Sequence, residues 1–239
     1  MLAATTCQPY STLTGLTFKT QNLSVTMSNI SDIRKDYSLQ VLQEKDVHSN
    51  PMQQFNKWWQ EALESQIDEV NAMTLATANK DGKPSARIVL LKGVEDDGFV
   101  FYTNYNSTKG KEIAENPFVS LVFFWKELER QVRVEGSISK IDPAESDAYF
   151  HSRPVGSRIG AWASPQSSVI SAREVIEDNV TELAKSFEGK EIDRPPHWGG
   201  YVVKPVIVEF WQGRSNRLHD RIQYKSVNEG NWKIQRLAP

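Results

Sequence analysis

The stretch Ala72-Met-Thr-Leu-Ala-Thr-Ala78, Asn79-Lys-Asp-Gly-Lys-Pro84, Ser85-Ala-Arg-Ile-Val-Leu-Leu91 decides the fold class of this chain. Two runs of strand-forming residues flank a connection that contains Asn, Asp and Gly. These residue types accept the positive φ angles of tight turns. The stretch therefore predicts a β-hairpin.

Outward from this hairpin, more strand-like runs follow, joined mainly by tight turns such as residues 95–98 and 228–231. The run Phe118–Trp125 is almost wholly apolar, so we expect both of its faces to be buried. The other predicted strands are residues 99–103, 131–135, 201–211, 218–224 and 232–237. Many short strands with tight turns favour a closed or nearly closed antiparallel barrel.

Helical patterns interrupt the strands. Asn50 is a predicted N-cap for a helix that begins at Pro51, where a missing N–H costs nothing. Its predicted buried stripe is Met52, Phe55, Trp59, Ala62 and Leu63. Further helices are predicted near residues 109–115, 143–153 and 172–187. The chain is predicted to be mainly β with flanking helices, an α+β fold, with a disordered leader at 1–33 and a single domain at 34–239.

Composition excludes several classes of protein. Lys and Arg number 28 and Asp and Glu number 30 among 239 residues, so no basic excess suggests a nucleic-acid partner. No apolar run approaches the roughly 20 residues of a membrane span, so we expect no membrane insertion. The single cysteine, Cys7, forbids an internal disulfide and favours the cytoplasm. A leader without acidic residues before Asp32 leaves a mitochondrial address as the alternative, although such addresses are usually rich in arginine.

Several kinds of site are also excluded by motif. The four histidines are scattered and show no metal-ligand spacing, so no metal site is predicted. There is no Walker loop and no GxGxxG, and no serine lies in a nucleophile elbow. Any phosphate recognition must therefore come from side chains.

The stretch from Glu209 to Arg221 is the hardest part of the chain to explain as packing. If residues 217–222 are extended, Arg217, His219 and Arg221 share one face, and Asp220 points to the other. Such a row repels itself unless an anion, an electron-rich ring or a carboxylate lies opposite. Two interpretations remain open: a solvated, positively charged edge strand, or a wall that grips an anionic, planar ligand.

Two other basic sets stand out. Arg87 and Lys92 lie on an apolar strand at a separation that puts them on opposite faces. They either reach water from the strand ends or serve two sites, or two parts of one extended site. Tyr149 and Arg153 share one helical face and either bind a phosphate monoester or form an ordinary surface pair.

Together, segments in order from about residue 34 to the end resemble the pyridoxamine (pyridoxine) 5'-phosphate oxidase family. They are Arg34-Lys-Asp-Tyr37, Asp81-Gly-Lys-Pro-Ser-Ala-Arg-Ile-Val-Leu-Leu-Lys92, Phe101-Tyr-Thr-Asn104, Arg130-Gln-Val-Arg-Val-Glu-Gly136, Tyr149-Phe-His-Ser-Arg-Pro154, Gln166-Ser-Ser168, Glu209-Phe-Trp-Gln-Gly213, Asn216-Arg-Leu-His-Asp-Arg221 and Arg236-Leu-Ala-Pro239. One such segment would mean little, but this many in register identify the family.

The resemblance implies an FMN-binding split β-barrel that works as a homodimer, with the FMN sites at the subunit interface. It implies oxidation of pyridoxamine 5'-phosphate and pyridoxine 5'-phosphate to pyridoxal 5'-phosphate. O2 is the acceptor and gives H2O2, and the amine also releases ammonia. The alternatives are a pyridoxal 5'-phosphate carrier and another split-barrel flavoprotein such as a flavin reductase.

The resemblance also assigns residues. The predicted FMN-binding residues are Arg87, Ile88, Val89, Leu90, Tyr102, Thr103, Lys109, Gln131, Gln166, Ser167, Trp211 and Arg221. The predicted phosphate clamp for the substrate is Lys92, Tyr149, Arg153 and Ser157. Arg217, Leu218 and His219 are predicted at the pyridine ring, with Arg217 and His219 as the catalytic pair. Arg34, Lys35, Asp36 and Tyr37 are predicted to fold over the occupied site.

One position departs from the family pattern. Thr108 stands where the family usually has arginine ahead of Lys109 and Gly110. A charge-assisted hydrogen bond to phosphate is worth about 1.5–3 kcal/mol. We therefore expect weaker FMN binding than in relatives, with Lys109 and Arg87 carrying more of the phosphate charge.

Overall fold

The computed structural model describes residues 30–95, 98–228 and 230–239. Residues 1–29 of the predicted leader lie outside this range, as do parts of the predicted turns at 95–98 and 228–231. Contacts divide the chain into two units, Met1–Lys35 and Asp36–Pro239. In the first unit, Ile30–Asp32 form a short 3-10 turn. The second unit carries the helices and strands described below.

Nine strands of the described residues form one antiparallel sheet. They are β1 (Ala72–Ala78), β2 (Pro84–Leu90), β3 (Gly93–Glu95), β4 (Gly98–Asn104), β5 (Phe118–Trp125), β6 (Arg130–Lys140), β7 (Trp198–Gln212), β8 (Asp220–Asn228) and β9 (Asn231–Arg236). The order is β2-β1-β5-β6-β7-β4-β3, with β8 paired to β7 and β9 paired to β8. The predicted hairpin is confirmed as β1 and β2, with Ala78 opposite Pro84.

The long strand β7 joins two parts of the sheet. One of its edges pairs with β6 along nearly its whole length. The other edge pairs with β4 through residues 198–203 and then with β8 through residues 207–212. A register shift between Glu135 and Gly136 lies opposite this change of partner. A Cβ at Gly136 would lie 2.1 Å from the Lys204 carbonyl oxygen, so only glycine fits this close approach.

Five helices flank the sheet: α1 (Pro51–Glu64), α2 (Thr108–Glu115), α3 (Pro143–Ser152), α4 (Val155–Ala163) and α5 (Glu174–Ser186). The Asn50 side chain caps α1 by accepting from Met52 N at 2.7 Å, as predicted. Phe55 of α1 packs edge-on against Phe99 at 4.9 Å between ring centroids. This helix therefore covers the apolar core inside the sheet. No helix among the described residues is long and apolar enough to cross a membrane.

The stripe predicted for α1 was partly wrong. Trp58 is buried, and Leu63 is 45% exposed. Trp58 packs edge-on against Phe210 and lies under the Arg130 guanidinium, 4.3 Å from the ring centroid. The sequence could not show that a buried arginine from β6 would lie over this face of the helix.

The prediction that both faces of β5 are buried was wrong. Phe118 is 67% exposed and Phe124 is 53% exposed, whereas Leu121 and Phe123 are fully buried. The strand alternates with period two, so one face enters the core and the other face does not. An apolar sequence alone does not distinguish a core face from an uncovered apolar face.

Two elements were missed. Pro154 ends α3, as predicted, but the chain resumes at once as α4, in which Ile159 and Ala163 are buried. The short strand β3 was also not predicted, because three residues are too few for a pattern. Helix α4 matters for function, since Ser157 and Gly160 on it line the cavity described next.

Candidate functional site

A cavity of about 970 Å³ opens beside β2, β4 and the helices α2, α3 and α4. It brings together many of the predicted ligand-binding residues: Arg87, Ile88, Val89, Leu90, Lys92, Tyr102, Thr103, Lys109, Tyr149, Arg153, Ser157, Gln166 and Ser167. Its other lining residues are Asn104, Thr108, Pro154, Gly160, Ala161, Ser164 and Trp198. Four of these residues are cationic and none is Asp or Glu. We call it the cationic cavity.

Arg87 is held at the cavity wall by neighbouring polar side chains. Its Nη1 donates to Thr77 Oγ1 at 2.5 Å, and its Nη2 donates to Ser85 Oγ at 2.5 Å and to Glu112 Oε2 at 3.2 Å. Burial raises the pKa of Glu112, but hydrogen bonds from Thr77, Ser85 and Arg87 bring it below its ordinary value. Glu112 is therefore ionised and fixes the guanidinium in place.

Lys109 lies deeper and has no acidic partner within hydrogen-bonding distance among the residues that the structure describes. Its Nζ donates to Thr103 Oγ1 at 3.2 Å, to Ser107 Oγ at 3.3 Å and to Gln166 Oε1 at 3.2 Å. Burial, and next the nearby charge of Arg87, lower the pKa of Lys109. An anion bound between Lys109 and Arg87 would relieve that repulsion.

The second basic set of the cavity is built around Arg153. Its guanidinium carbon lies 4.5 Å from the centroid of the Trp198 ring. Its Nη1 is buried and has no hydrogen-bond partner among the described residues. Burial lowers the pKa of Arg153, while Tyr149 acts in the opposite direction. A buried donor without a partner is costly, so this group favours an incoming acceptor.

Arg87 and Lys92 line the same cavity. The interpretation with two parts of one extended site therefore fits their positions. The prediction that Arg87 and Lys92 point to opposite faces of one strand does not apply, because β2 ends at Leu90, before Lys92. The Lys92 side chain is exposed and makes no hydrogen bond or ion pair with any described residue.

The remaining predicted residues of the second unit lie around the turn between β7 and β8, on β6, β7, β8, the turn itself and the segment before α1. None of them lines the cationic cavity. We call this group the Trp211 corner: Tyr37, Gln131, Trp211, Arg217, Leu218, His219 and Arg221. Trp211 stands opposite Gln131 on β6 and opposite Arg221 on β8. The Trp211 and His219 rings are 4.6 Å apart, and Tyr37 packs edge-on against both.

The expected row of three cationic groups on one face was wrong. Residues Ser215–Arg217 form a 3-10 turn, in which Asn216 and Arg217 have φ of 56° and 62°. The strand begins only at Asp220, two residues later than predicted. Strand parity therefore does not relate Arg217 to Arg221. Left-handed backbone at non-glycine residues stores strain, which is common at functional sites.

Arg221 has a carboxylate partner that the sequence argument missed. Glu209 on the neighbouring strand is 2% exposed and accepts from Arg221 Nε at 2.8 Å and from Nη2 at 3.1 Å. Arg133 also donates to Glu209, at 2.6 Å. Burial raises the pKa of Glu209, but the bonds from Arg221 and the charge of Arg133 bring it below its ordinary value. Whether Arg221 also contacts a cofactor stays a prediction.

His219 is neutral and oriented. Its Nδ1 accepts a hydrogen bond from the Arg214 backbone N–H at 3.0 Å, which leaves the proton on Nε2. Burial, and next the charge of Arg217, lower the pKa of His219. Arg217 itself is exposed and makes no side-chain hydrogen bond or ion pair within the described chain. The corner therefore presents one N–H donor and one unpaired cation.

The segment before α1 is fixed to this corner. Asp36 Oδ1 accepts from Asn216 N at 3.2 Å, and the Tyr37 carbonyl accepts from Ser215 Oγ at 3.2 Å. A Cβ on Gly213 would lie 2.7 Å from the Tyr37 ring, so glycine permits the contact. Asp36 and Tyr37 therefore contact the corner, and whether they fold over an occupied site stays a prediction. Arg34 and Lys35 belong to the other unit, and their role stays a prediction.

Two contributors to the cavity were missed by sequence reasoning. Glu112, which holds Arg87, gave no signal because its partner is 25 residues away. Trp198 did have a signal in the sequence, because it precedes Gly199 and Gly200. Adjacent glycines at the start of a strand indicate close packing. A Cβ at Gly200 would lie 2.3 Å from Ile141.

The chain matches the models of two protein regions and is similar to known oxidases. Residues 59–187 match the family model described as "Pyridoxamine 5'-phosphate oxidase". Residues 198–239 match the model of the "Pyridoxine 5'-phosphate oxidase C-terminal dimerisation region". A pyridoxine/pyridoxamine 5'-phosphate oxidase of Cyanothece sp. is 56% identical over 211 residues, which cover 88% of this chain and 99% of the relative.

Two solved structures show the fold. PhzG from Burkholderia lata, in complex with tetrahydrophenazine-1-carboxylic acid, has a TM-score of 0.78 at 31% identity and covers 84% of this chain and 100% of its own. A pyridoxamine 5'-phosphate oxidase-related, FMN-binding protein from Nostoc punctiforme has a TM-score of 0.63 at 18% identity and covers 81% of this chain and 100% of its own. The predicted split-barrel fold is confirmed.

Proposed function

Because this chain belongs to the pyridoxamine 5'-phosphate oxidase family, and is therefore an oxidoreductase, we propose that it oxidises pyridoxamine 5'-phosphate and pyridoxine 5'-phosphate to pyridoxal 5'-phosphate with FMN as cofactor. The two family models together cover most of the chain. Relatives of this name align along nearly their whole length, so the proposal concerns the complete catalytic unit.

The observation that carries the proposal is the pairing of two separate basic sets in one cavity without acidic lining residues. Arg87 and Lys109 form one set, and Lys92 and Arg153 form the other. The reaction needs room for two phosphate monoesters, one on the cofactor and one on the substrate. The volume of about 970 Å³ suits a flavin nucleotide and a small pyridine together.

The residues present fit FMN. Lys109 is buried among neutral acceptors and repelled by Arg87, so a phosphate near them would gain charge-assisted hydrogen bonds. Gln166 contacts Lys109, and Ser167 has a φ of 69° beside it, which turns the backbone at the cavity wall. Thr103 completes this group. These side chains would hold the cofactor, while Arg153 and Ser157 would hold the substrate phosphate.

A second copy of the chain supplies the Trp211 corner in this proposal. Along β7, the cavity neighbour Gly200 and Trp211 are separated by about 35 Å of strand, at about 3.3 Å per residue. The corner residues therefore complete a site more readily on a partner subunit. The match of residues 198–239 to a dimerisation region supports a homodimer with FMN at the interface.

The amine substrate, O2 and water give the aldehyde, ammonia and H2O2, and the alcohol substrate and O2 give the aldehyde and H2O2. FMN, when bound, accepts the two electrons of the substrate C4'–H bond and passes them to O2. The protein orients the ring and stabilises charge. Arg217 contributes a cation toward the pyridine.

His219 acts as a hydrogen-bond donor in this proposal. Its Nδ1 lone pair is used by the Arg214 N–H, so the neutral ring offers Nε2–H to the substrate. The lowered pKa of His219 and this tautomer both favour donation over acceptance of a proton. Leu218 is 67% exposed beside it and would pack on the same ring.

Aerobic incubation of the FMN-loaded protein with pyridoxamine 5'-phosphate tests the proposal. Aldehyde, H2O2 and ammonia should appear in equal amounts, and product should stop at one per flavin without O2. Arg153→Ala should lose the activity at low substrate. The control is Arg173→Ala, which removes an exposed arginine at the N-cap of α5. Pyridoxal 5'-phosphate retained without FMN would favour a carrier, and turnover that requires a nicotinamide would favour a flavin reductase. A cytoplasmic location stays a prediction, which cell fractionation would test.

A further inference from the structure

We propose that Trp198 is a positioning residue: its ring holds the Arg153 guanidinium ready for the substrate phosphate and so sets the preference for phosphorylated vitamers. The proposal rests on the function proposed above, in which Arg153 binds that phosphate. Neither the sequence patterns nor the family resemblance assigned a role to Trp198.

The backbone of Trp198 is fixed on both sides. Its N–H donates to the Pro195 carbonyl at 3.0 Å, and its carbonyl accepts from Arg194 Nη1 at 2.6 Å. Arg194 Nε donates in turn to Asp147 of α3 at 2.6 Å. One arginine therefore joins the start of β7 to the helix that precedes Arg153. The ring position and the clamp position depend on the same anchor.

The ring of Trp198 is 7% exposed and lies nearly parallel to two tyrosines of the cavity. Tyr102 lies 5.5 Å away with an interplanar angle of 12°, and Tyr149 lies 6.2 Å away at 5°. Tyr102 and Tyr149 stack on each other at 3.8 Å. Phe150 packs on Trp198 at a steep angle, 5.4 Å away. These contacts leave the indole little freedom to rotate.

Arg153 depends on this ring for its position. No described side chain makes a hydrogen bond to its guanidinium, and Nη1 is buried without a partner. The Trp198 contact at 4.5 Å is its shortest aromatic contact, since the Phe150 centroid is 5.8 Å away. A long arginine side chain without such a contact would lose rotational freedom when phosphate binds. Pre-ordering it removes that cost from the binding step.

The test compares binding of pyridoxal and pyridoxal 5'-phosphate to the FMN-loaded protein, measured by the absorbance of the ligand at equilibrium. The dissociation constant for pyridoxal divided by that for pyridoxal 5'-phosphate reports the phosphate clamp alone. Trp198→Leu should lower that ratio about 10-fold, the usual scale of a partly buried cation–π contact. Trp198→Phe keeps an aromatic face and should lower it only about 3-fold.

Trp162→Leu is the matched control. Trp162 packs against the same apolar cluster as Trp198, which contains Phe150 and Ile159, and its indole donates to Asp193 O at 2.8 Å. It does not line the cationic cavity, so this variant should keep the wild-type ratio. In turnover assays, Trp198→Leu should raise KM for pyridoxamine 5'-phosphate about 10-fold and change kcat less than 2-fold. A merely structural loss would reduce kcat instead.

The outcomes separate the two proposals. If wild-type protein shows no preference for the phosphorylated vitamer, the proposed function fails. If wild type shows the preference and Trp198→Leu keeps the full ratio, the Trp198 assignment alone is overturned. Should only the Phe variant fold, a ratio equal to that of wild type overturns the assignment in the same way.

Discussion

The cationic cavity and the Trp211 corner hold their charges in opposite ways. In the corner, the charges are paired mostly within the protein: Glu209 accepts from Arg221 and Arg133, and Asp220 accepts from Arg214 and Arg236. In the cavity, Arg87 alone among the four lining cations has a carboxylate partner within the described part of the chain. The corner is thus a self-supporting scaffold, whereas the cavity keeps hydrogen-bonding capacity for ligands.

Within the corner, Arg217 is the exception. It is exposed, has no ion-pair partner among the described residues, and has a positive φ. Around it, Asp36 is held by the Asn216 N–H and Tyr37 packs on Trp211. A cation that is free to bind a ligand is therefore recognised by the lack of an ion-pair partner within the fold rather than by its residue type. Charged residues that look alike in the sequence differ in whether the folded chain places an ion-pair partner beside them.

Removing the buried carboxylate of the corner should have the largest effect. Glu209→Ala leaves Arg221 and Arg133, which are 28% and 35% exposed, without their shared partner. It should lower the free energy of unfolding by about 3 kcal/mol, because charge-assisted hydrogen bonds from both arginines are lost. Urea denaturation of the FMN-free protein measures this. Glu135→Ala removes a half-exposed partner of the same Arg133 and should cost at most about 1 kcal/mol. Equal costs for the two variants would contradict the scaffold interpretation.

Removing the free cation of the corner should come next. Arg217→Ala should lower kcat/KM for pyridoxamine 5'-phosphate about 100-fold, as expected for a charged group that contacts the reacting molecule. Its stability and FMN content should stay near those of wild type, since Arg217 supports no other described side chain. Steady-state kinetics and flavin absorbance measure the two. A variant that loses FMN but keeps substrate affinity would show that its role belongs to the cofactor.

Adding a cation to the cavity should have a smaller effect. Thr108 lines the cavity beside Lys109 and is exposed, so Thr108→Arg places a guanidinium near the predicted cofactor phosphate. FMN should bind about 10-fold more tightly, which fluorescence titration of the apoprotein measures. Asn106→Arg adds the same charge two residues away, outside the cavity lining, as the control. An unchanged dissociation constant for Thr108→Arg would refute the expectation.

The smallest expected effect is on the protonation of His219. Its folded-state pKa lies below the ordinary value, so its contribution to stability is complete above its unfolded pKa and is lost as the pH falls through the folded pKa. Arg217→Gln removes the nearby charge and should raise the pKa of His219. An NMR titration of the imidazole protons in both proteins measures this. A lower pKa in the variant would mean that Arg217 does not act on His219.

Much of the cavity was predicted from sequence because its residues lie in short segments with recognisable patterns. The family resemblance assigned them: residues 87–90 follow one another on β2, and Tyr149 lies on α3. The predicted shared helical face of Tyr149 and Arg153 was wrong, because Arg153 lies just past the end of α3 with an extended backbone. The corner was predicted less well. Residues Ser215–Arg217 turn where extended chain was expected, because Asp36, Tyr37 and Gly213 make contacts there that distant segments supply.

From sequence alone came most of the element types, the β1–β2 hairpin, the cap of α1 and the family. These depend on local propensity and on short motifs, which act over a few residues. Which cations are paired depends on the tertiary structure. Glu209 forms an ion pair with Arg221, and Glu112 forms one with Arg87. Arg153 instead contacts the ring of Trp198. Such pairings depend on strand register and helix docking between distant segments, because desolvation and charge depend on every neighbour in space.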